Sequence, residues 1–142
     1  MPNTRVSVRG MRTRDVVDHA LARRAVLRDL YSGRVSAMEV CDASPYLQSA
    51  AKRLGTRTER PCPVCRKLPL DEVLWVYGEA IGDADGTART LGQVRQLATE
   101  RPDFAVYEVE VCQGCAWNHL VRTWRTGTPG TAAARRTRRR EA

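Results

Sequence analysis

Two Cys-x-x-Cys pairs, Cys62 with Cys65 and Cys112 with Cys115, constrain this chain most, because four thiolates at that spacing can close a tetrahedron around one metal ion. Both pairs lie in turn-forming sequence, Arg60-Pro61-Cys62-Pro63-Val64-Cys65-Arg66 and Val111-Cys112-Gln113-Gly114-Cys115. A metal knuckle needs a tight turn that aims both sulfurs inward. Pro63 fixes φ for this purpose, and Gly114 permits positive φ. The expected cofactor is therefore one structural Zn2+ on Cys62, Cys65, Cys112 and Cys115. The competing readings are two disulfides or a redox dithiol. A thioredoxin-like dithiol needs only one pair beside a βαβ pattern, whereas two pairs flanking matched strands favour metal.

The first ten residues lack the apolar core of a signal peptide, and the longest apolar runs, such as Val73-Leu74-Trp75-Val76-Tyr77, are strand-sized. The expectation is a cytoplasmic protein with no membrane partner, in a reducing compartment where thiols persist and bind metal. Cys41, the fifth cysteine, is expected to be a small buried hydrophobe in a helix.

With 142 residues and 6% aromatics, the chain can bury one modest core and a satellite, and a structural metal would supplement it. The net charge of +8 is unevenly spread. Residues 1–60 carry twelve Lys or Arg against six Asp or Glu, residues 61–126 seven against nine, and residues 127–142 five against one. Positive potential thus belongs to the flanks, and a polyanion would be held there.

The fold class expected is α+β. Residues 1–12 read as a flexible N-terminus and 13–58 as a helical segment of about three helices. Between Thr13 and Tyr31, apolar residues recur near helical spacing up to a stop at Gly33. Ser36-Ala37-Met38-Glu39 is a capping box, and Ser44-Pro45 opens a third helix that ends at Gly55. The last two helices and their tight joint are similar in layout to a helix-turn-helix, which would offer Gln48, Lys52 and Arg53 to nucleic acid.

Residues 59–126 read as a zinc ribbon: a three-stranded antiparallel sheet from Glu72–Tyr77, Ala105–Val111 and Trp117–Trp124. The long interval between the cysteine pairs accommodates an inserted helix, opened by the Thr90-Leu91-Gly92-Gln93 capping box. Asp83-Ala84-Asp85-Gly86 reads as a turn, since the later ligands of a calcium loop are missing. Trp117, His119 and Trp124 on the last strand are candidates for contact with a protein partner.

Catalytic equipment is sparse. Glu108 and Glu110 share a strand face near His119, but a solvated sheet face is the simpler expectation. A four-cysteine site is closed and activates no water, and no serine elbow or dinucleotide fingerprint is present. The expectation is a protein that is not an enzyme and takes no small-molecule substrate.

Residues 127–142 read as a disordered linker ending in basic sequence, where Arg135, Arg136, Arg138, Arg139 and Arg140 can each neutralise a phosphate. The chain has only Lys52 and Lys67 against twenty-two arginines, so genome composition is the competing explanation for that run.

Ser32-Gly33-Arg34-Val35-Ser36, Glu39-Val40-Cys41-Asp42-Ala43, Cys62-Pro63-Val64-Cys65-Arg66, and Val109 through Cys112-Gln113-Gly114-Cys115-Ala116-Trp117-Asn118-His119-Leu120-Val121 carry a resemblance. Over roughly residues 13–127 the chain resembles an uncharacterised actinobacterial family of small zinc-ribbon proteins. The resemblance implies the fold and brings no activity. The functional expectation is a non-catalytic accessory or regulatory factor on a nucleic-acid machine, RNA polymerase or the ribosome, with RNA or DNA, a protein of that machinery, or both as partners. The alternatives are a protein-interaction adaptor without a nucleic-acid role and a helix-turn-helix DNA-binding regulator.

Overall fold

A computed structural model describes residues 11–128 of the chain. Its centre is β3 (Pro69–Tyr77), whose Leu70 to Leu74 are all buried. Such a strand needs cover on both faces and partners on both edges. On one edge lies β5 (Phe104–Val111), followed outward by β6 (Asn118–Thr126) and β1 (Arg14–Asp18). The other edge is shared by β2 (Thr56–Pro61), paired with the first part of β3, and β4 (Thr87–Arg89), paired with the second. Every pairing is antiparallel.

Of the four α-helices, three cover this sheet. On one face α3 (Pro45–Leu54) packs Ala51 and Leu47 against Val73 and Val111. On the opposite face α4 (Leu91–Glu100) buries Val94 against Leu74, Val76, Phe104, Val106 and Trp124. Farther along, Leu27 of α1 (Ala20–Tyr31) joins Leu70, Trp117, Cys62 and Cys112. The short α2 (Ala37–Val40) buries no residue.

Local signals in the sequence set several boundaries. Ser36 and Glu39 form the reciprocal capping box of α2, and Thr90 and Gln93 form that of α4. Ser44 caps α3 with Pro45 in its first turn, and Gly55 ends it. The three strands expected from the sequence all form.

The three-stranded ribbon is nevertheless corrected to a six-stranded sheet, and the helices to four plus a 3-10 segment at Glu79–Ala84. Residues 14–18 are strand, so the first helix begins at Ala20 and not at Thr13. Val16 and Val17 are β-branched and favour an extended edge, and Val17 pairs with Thr123 of β6. Asp18 then accepts the Ala20 N–H at 2.7 Å, and the chain turns into α1. Strand β2 has the sequence Thr-Arg-Thr-Glu-Arg-Pro with only Thr58 buried, a polar edge strand with no apolar pattern to reveal it. The tail arginines at 135–140 lie outside the described residues.

Between the two apolar clusters on the α1/α4 face, the sheet buries charge. Glu72, Glu108 and Glu110 are at most 1% exposed, where a solvated face was expected for the last two. Each meets a cation or an indole. Arg122 and the Trp124 N–H serve Glu108, and Arg60 serves Glu72. Glu110 takes Arg23 on both oxygens at 3.0–3.1 Å, Arg60 at 3.4 Å, and the Trp117 N–H at 2.7 Å. Buried carboxylates are tolerated only when satisfied in this way.

Candidate metal centre

Each cysteine pair occupies the bend of a strand-to-strand connection: Cys62 and Cys65 between β2 and β3, Cys112 and Cys115 between β5 and β6. The two bends share a geometry. In the first, the Cys62 N–H bonds the Leu68 carbonyl at 2.8 Å and the Arg66 N–H returns to the Cys62 carbonyl at 3.0 Å. In the second, Cys112 bonds Trp117 at 2.8 Å and Ala116 returns to Cys112 at 3.1 Å. The residue after each second cysteine turns left-handed, Arg66 at φ 58° and Ala116 at φ 70°. The expected role of Gly114 is therefore corrected: positive φ falls two residues later. Gly114 answers to space, since a Cβ there would lie 3.0 Å from the Leu68 side chain and 3.7 Å from Cys112 Sγ.

Because β3 and β5 pair in register, Asp71 opposite Val111, the two bends come together and the four sulfurs lie within 4.8 Å of one another. A metal–sulfur bond of about 2.3 Å gives a tetrahedron with edges of about 3.8 Å. The Cys62–Cys115 and Cys65–Cys112 separations are 3.6 and 3.7 Å. The cluster thus has the dimensions to hold a metal ion.

The surroundings are prepared for negative sulfur. Backbone N–H groups of Val64, at 3.4 Å from Cys62, and of Gly114 and Cys115, at 3.3 and 3.5 Å from Cys112, point at the ligand atoms. As thiols, Cys62 and Cys115 are pushed up to about 12 by burial, while Cys65 is lowered to about 7, chiefly by the Lys67 backbone N–H. A cation reverses the burial penalty, because its charge replaces the lost hydration.

Sequence reasoning missed one neighbour of the cluster, which stands outside the four-sulfur set. Cys41, expected as an inert hydrophobe within a helix, caps the C-terminus of α2 and donates to Cys115 Sγ at 3.5 Å. Its neighbours fasten it there: the Ala43 N–H bonds the Ala116 carbonyl at 2.9 Å, and Asn118 Nδ2 bonds Asp42 at 2.8 Å.

The other expected site residues are dispersed. Lys52 and Arg53 are exposed on the last turn of α3, whereas Gln48 is half-buried and its carbonyl accepts from Gln113 at 2.9 Å. Trp117 and Trp124 are each 1% exposed, with indoles turned to Glu110 and Glu108, so they build the core and present no surface. His119 stacks on Trp117 at 5.9 Å and takes no part in the sulfur cluster. A cavity of about 270 Å³ opens beside Arg23, Arg24, Arg60 and Glu110, but its carboxylate is already satisfied by two of those arginines.

A different surface carries exposed aromatics. On the sheet face that α3 leaves open, Trp75 lies opposite Tyr107 in register. Tyr107 meets Tyr77 edge-on at 4.9 Å, and Tyr46 from α3 leans on Trp75 at 5.9 Å. Tyr46, Tyr77 and Tyr107 are 67%, 41% and 39% exposed. Arg14 and Arg125 border the row and share Asp103 at 2.9 and 2.8 Å. The one local signal for this row is the Trp75-x-Tyr77 spacing, which puts two rings on one face of a strand.

Fold and site together define an α+β protein built around a four-cysteine cluster. The chain belongs to the family described as "Family of unknown function (DUF5318)", whose model matches residues 11–141. It is 49% identical over 111 residues to the uncharacterised proteins Rv0049 of Mycobacterium tuberculosis and Mb0050 of Mycobacterium bovis. Each match covers 78% of this chain and 81% of the relative. No solved structure matches the chain. Among the described residues no helix is long and apolar enough to cross a membrane.

Proposed function

We propose that this chain is a non-catalytic cytoplasmic protein, stapled by one structural Zn2+, that serves as an accessory or regulatory factor on a nucleic-acid machine such as RNA polymerase or the ribosome. The four-sulfur set supports the metal and the absence of catalysis: thiolates favour zinc, and a closed set leaves no position for an activated water. Cys62, Cys65, Cys112 and Cys115 would hold the ion, which supplies a cross-link between two strand connections.

The row Tyr46, Trp75, Tyr107 and Tyr77 carries the nucleic-acid part of the reading. Unpaired bases stack on such rings whatever their sequence, at roughly 1–3 kcal/mol per base. Arg14 and Arg125 at its border, exposed Lys52 and Arg53, and Arg135, Arg136, Arg138, Arg139 and Arg140 of the tail would engage phosphates.

The test is anisotropy of labelled single-stranded RNA, single-stranded DNA and duplex DNA with the full chain. Single strands are expected to bind more tightly, with affinity falling as salt rises. Tyr77→Ala with Tyr107→Ala is expected to weaken binding about tenfold or more, the stacking contribution of one or two bases. Deleting residues 127–142 is expected to flatten the salt dependence. No binding to any of the three at low salt sinks the nucleic-acid reading.

A further inference from the structure

The fifth thiol is placed too deliberately to be filler. Cys41, Asp42 and Ala43 face Cys115, Asn118 and Ala116, and each pair is in contact: sulfur to sulfur at 3.5 Å, side chain to side chain at 2.8 Å, backbone to backbone at 2.9 Å. These contacts fix Cys41 beside one member of the four-sulfur set while leaving it outside that set.

We propose that Cys41 and Cys115 form an oxidative modification site, in which hydroperoxide oxidises Cys115 and Cys41 traps the product as a reversible Cys41–Cys115 disulfide. The inference rests on the four-thiolate metal reading above.

Two observations single out this pair. The first is access with contact: Cys62 and Cys112 are fully buried, and of the half-buried Cys41, Cys65 and Cys115, Cys41 and Cys115 touch at 3.5 Å whereas Cys65 touches the buried ligand Cys112 at 3.7 Å. The second is availability. Cys62, 3.6 Å from Cys115, is as near as Cys41, but it belongs to the ligand set. A bridge to Cys62 would remove two sulfurs from the cluster, and a bridge to Cys41 removes one.

The chemistry balances without another reagent. The Cys115 thiolate attacks one peroxide oxygen, the O–O bond breaks, and the hydroxide that leaves takes from solvent the proton Cys115 gave up on ionising, so that water forms and Cys115 becomes a sulfenic acid. The Cys41 sulfur then attacks Cys115 Sγ. The S–O bond breaks, the Cys41 proton joins the departing hydroxide, and a second water forms. Two thiols lose two electrons and one peroxide gains them. Sγ to Sγ must close from 3.5 Å to about 2.05 Å. Helix α2, which leads into Cys41, buries no residue, so the shift uncovers no core while the Asp42 and Ala43 contacts keep the two sulfurs facing. Without Cys41, the sulfenic acid has no uncommitted thiol beside it and proceeds to sulfinic acid, which ordinary thiols do not reduce.

The test uses the full chain loaded with Zn2+, limited hydrogen peroxide, alkylation of remaining thiols, and mass spectrometry of the non-reduced digest. Wild type is expected to show Cys41 bridged to Cys115, release of the ion to a chromogenic chelator, and full return of bound Zn2+ after dithiothreitol and fresh metal. Cys41→Ser and Cys41→Ala are expected to bind Zn2+ equally before oxidation. After it they should carry sulfinic acid at Cys115 and fail to regain metal. A wild-type bridge within either Cys-x-x-Cys pair or from Cys62 to Cys115, or recovery of the Cys41 variants as complete as wild type, overturns the proposal. A chain that takes up no Zn2+ refutes the metal reading alone, because the digest of the oxidised metal-free chain still reports whether Cys41 and Cys115 are partners.

Discussion

Trp117 donates its indole N–H to Glu110 at 2.7 Å, joining the residue that follows the second cysteine bend to a carboxylate inside the sheet. The same carboxylate holds Arg23 of α1 and Arg60 of β2, so three separate elements meet on one side chain. Removing it strands an indole N–H and takes from Arg23 its bidentate partner, while Arg60 keeps Glu72.

Glu110→Ala is accordingly expected to cost about 3–5 kcal/mol, the penalty for breaking a buried charge network from one side. In calorimetry of the metal-loaded chain this is a fall in Tm of roughly 10 °C or more. Glu110→Gln keeps an acceptor and should lose less. Glu59→Ala, on an exposed position of β2, serves as the control and should stay within about 0.5 kcal/mol of wild type.

Removing the metal should loosen one end of the molecule first. Hydrogen exchange after chelation is expected to lose protection at Cys62, Arg66, Cys112 and Ala116, whose N–H bonds define the two bends, before it loses protection at Val106 in the α4 cluster. Simultaneous loss at both ends would show that the sheet does not survive without the ion. Cys62→Ser should reproduce the chelated pattern.

Gly55 sits where α3 ends against β3. A Cβ there would come within 2.3 Å of the Ala51 carbonyl oxygen and 2.8 Å of that of Glu72, and both are backbone atoms that cannot turn aside. Gly55→Ala is expected to cost about 3 kcal/mol, the upper end of overpacking effects, in urea unfolding. Gly33→Ala, in open space but at φ 81°, should cost about 1 kcal/mol from backbone strain alone.

Asp103 gives a dependence on pH. The Arg125 hydrogen bond, with charge from Arg125 and Arg14, holds its carboxyl below the ordinary value of 3.8. A lowered folded value means that the unfolded chain binds the proton more readily. The contribution is therefore full above the ordinary value and is lost as pH falls through the folded one. Thermal melts between pH 2 and 5 should show Asp103→Asn less stable than wild type at pH 5, with the gap closing towards pH 2.

How far the sequence revealed this structure depended on whether a signal was local. The capping boxes at Ser36 and Thr90, the Pro45 start and the two cysteine bends state their geometry within four or five residues, and all were legible. Strand β1 was hidden because Val16 and Val17 also fit a helical stripe, and only the free edge of β6 decides between the two. Alternation on β5 told only half: Val109 and Val111 do pack under α3, but Tyr107 on the same face is exposed, and Glu108 and Glu110 on the other face lie in the core. The arginines and indoles that make this possible come from α1, β2 and β6, distant in sequence. Cys41 escaped for the same reason, since its partner lies 74 residues away.

The pairing of Asp71 with Val111 sets the alignment of the two bends, and it has a consequence for how the chain checks itself. A slip of one residue between β3 and β5 would turn Cys112 to the opposite face of the sheet and leave the sulfurs unable to meet. An ion that requires all four thus discriminates among nearly equivalent strand alignments. On the metal reading proposed above, its capture would be a proofreading step, which rewards the native register and leaves every shifted one without its clasp.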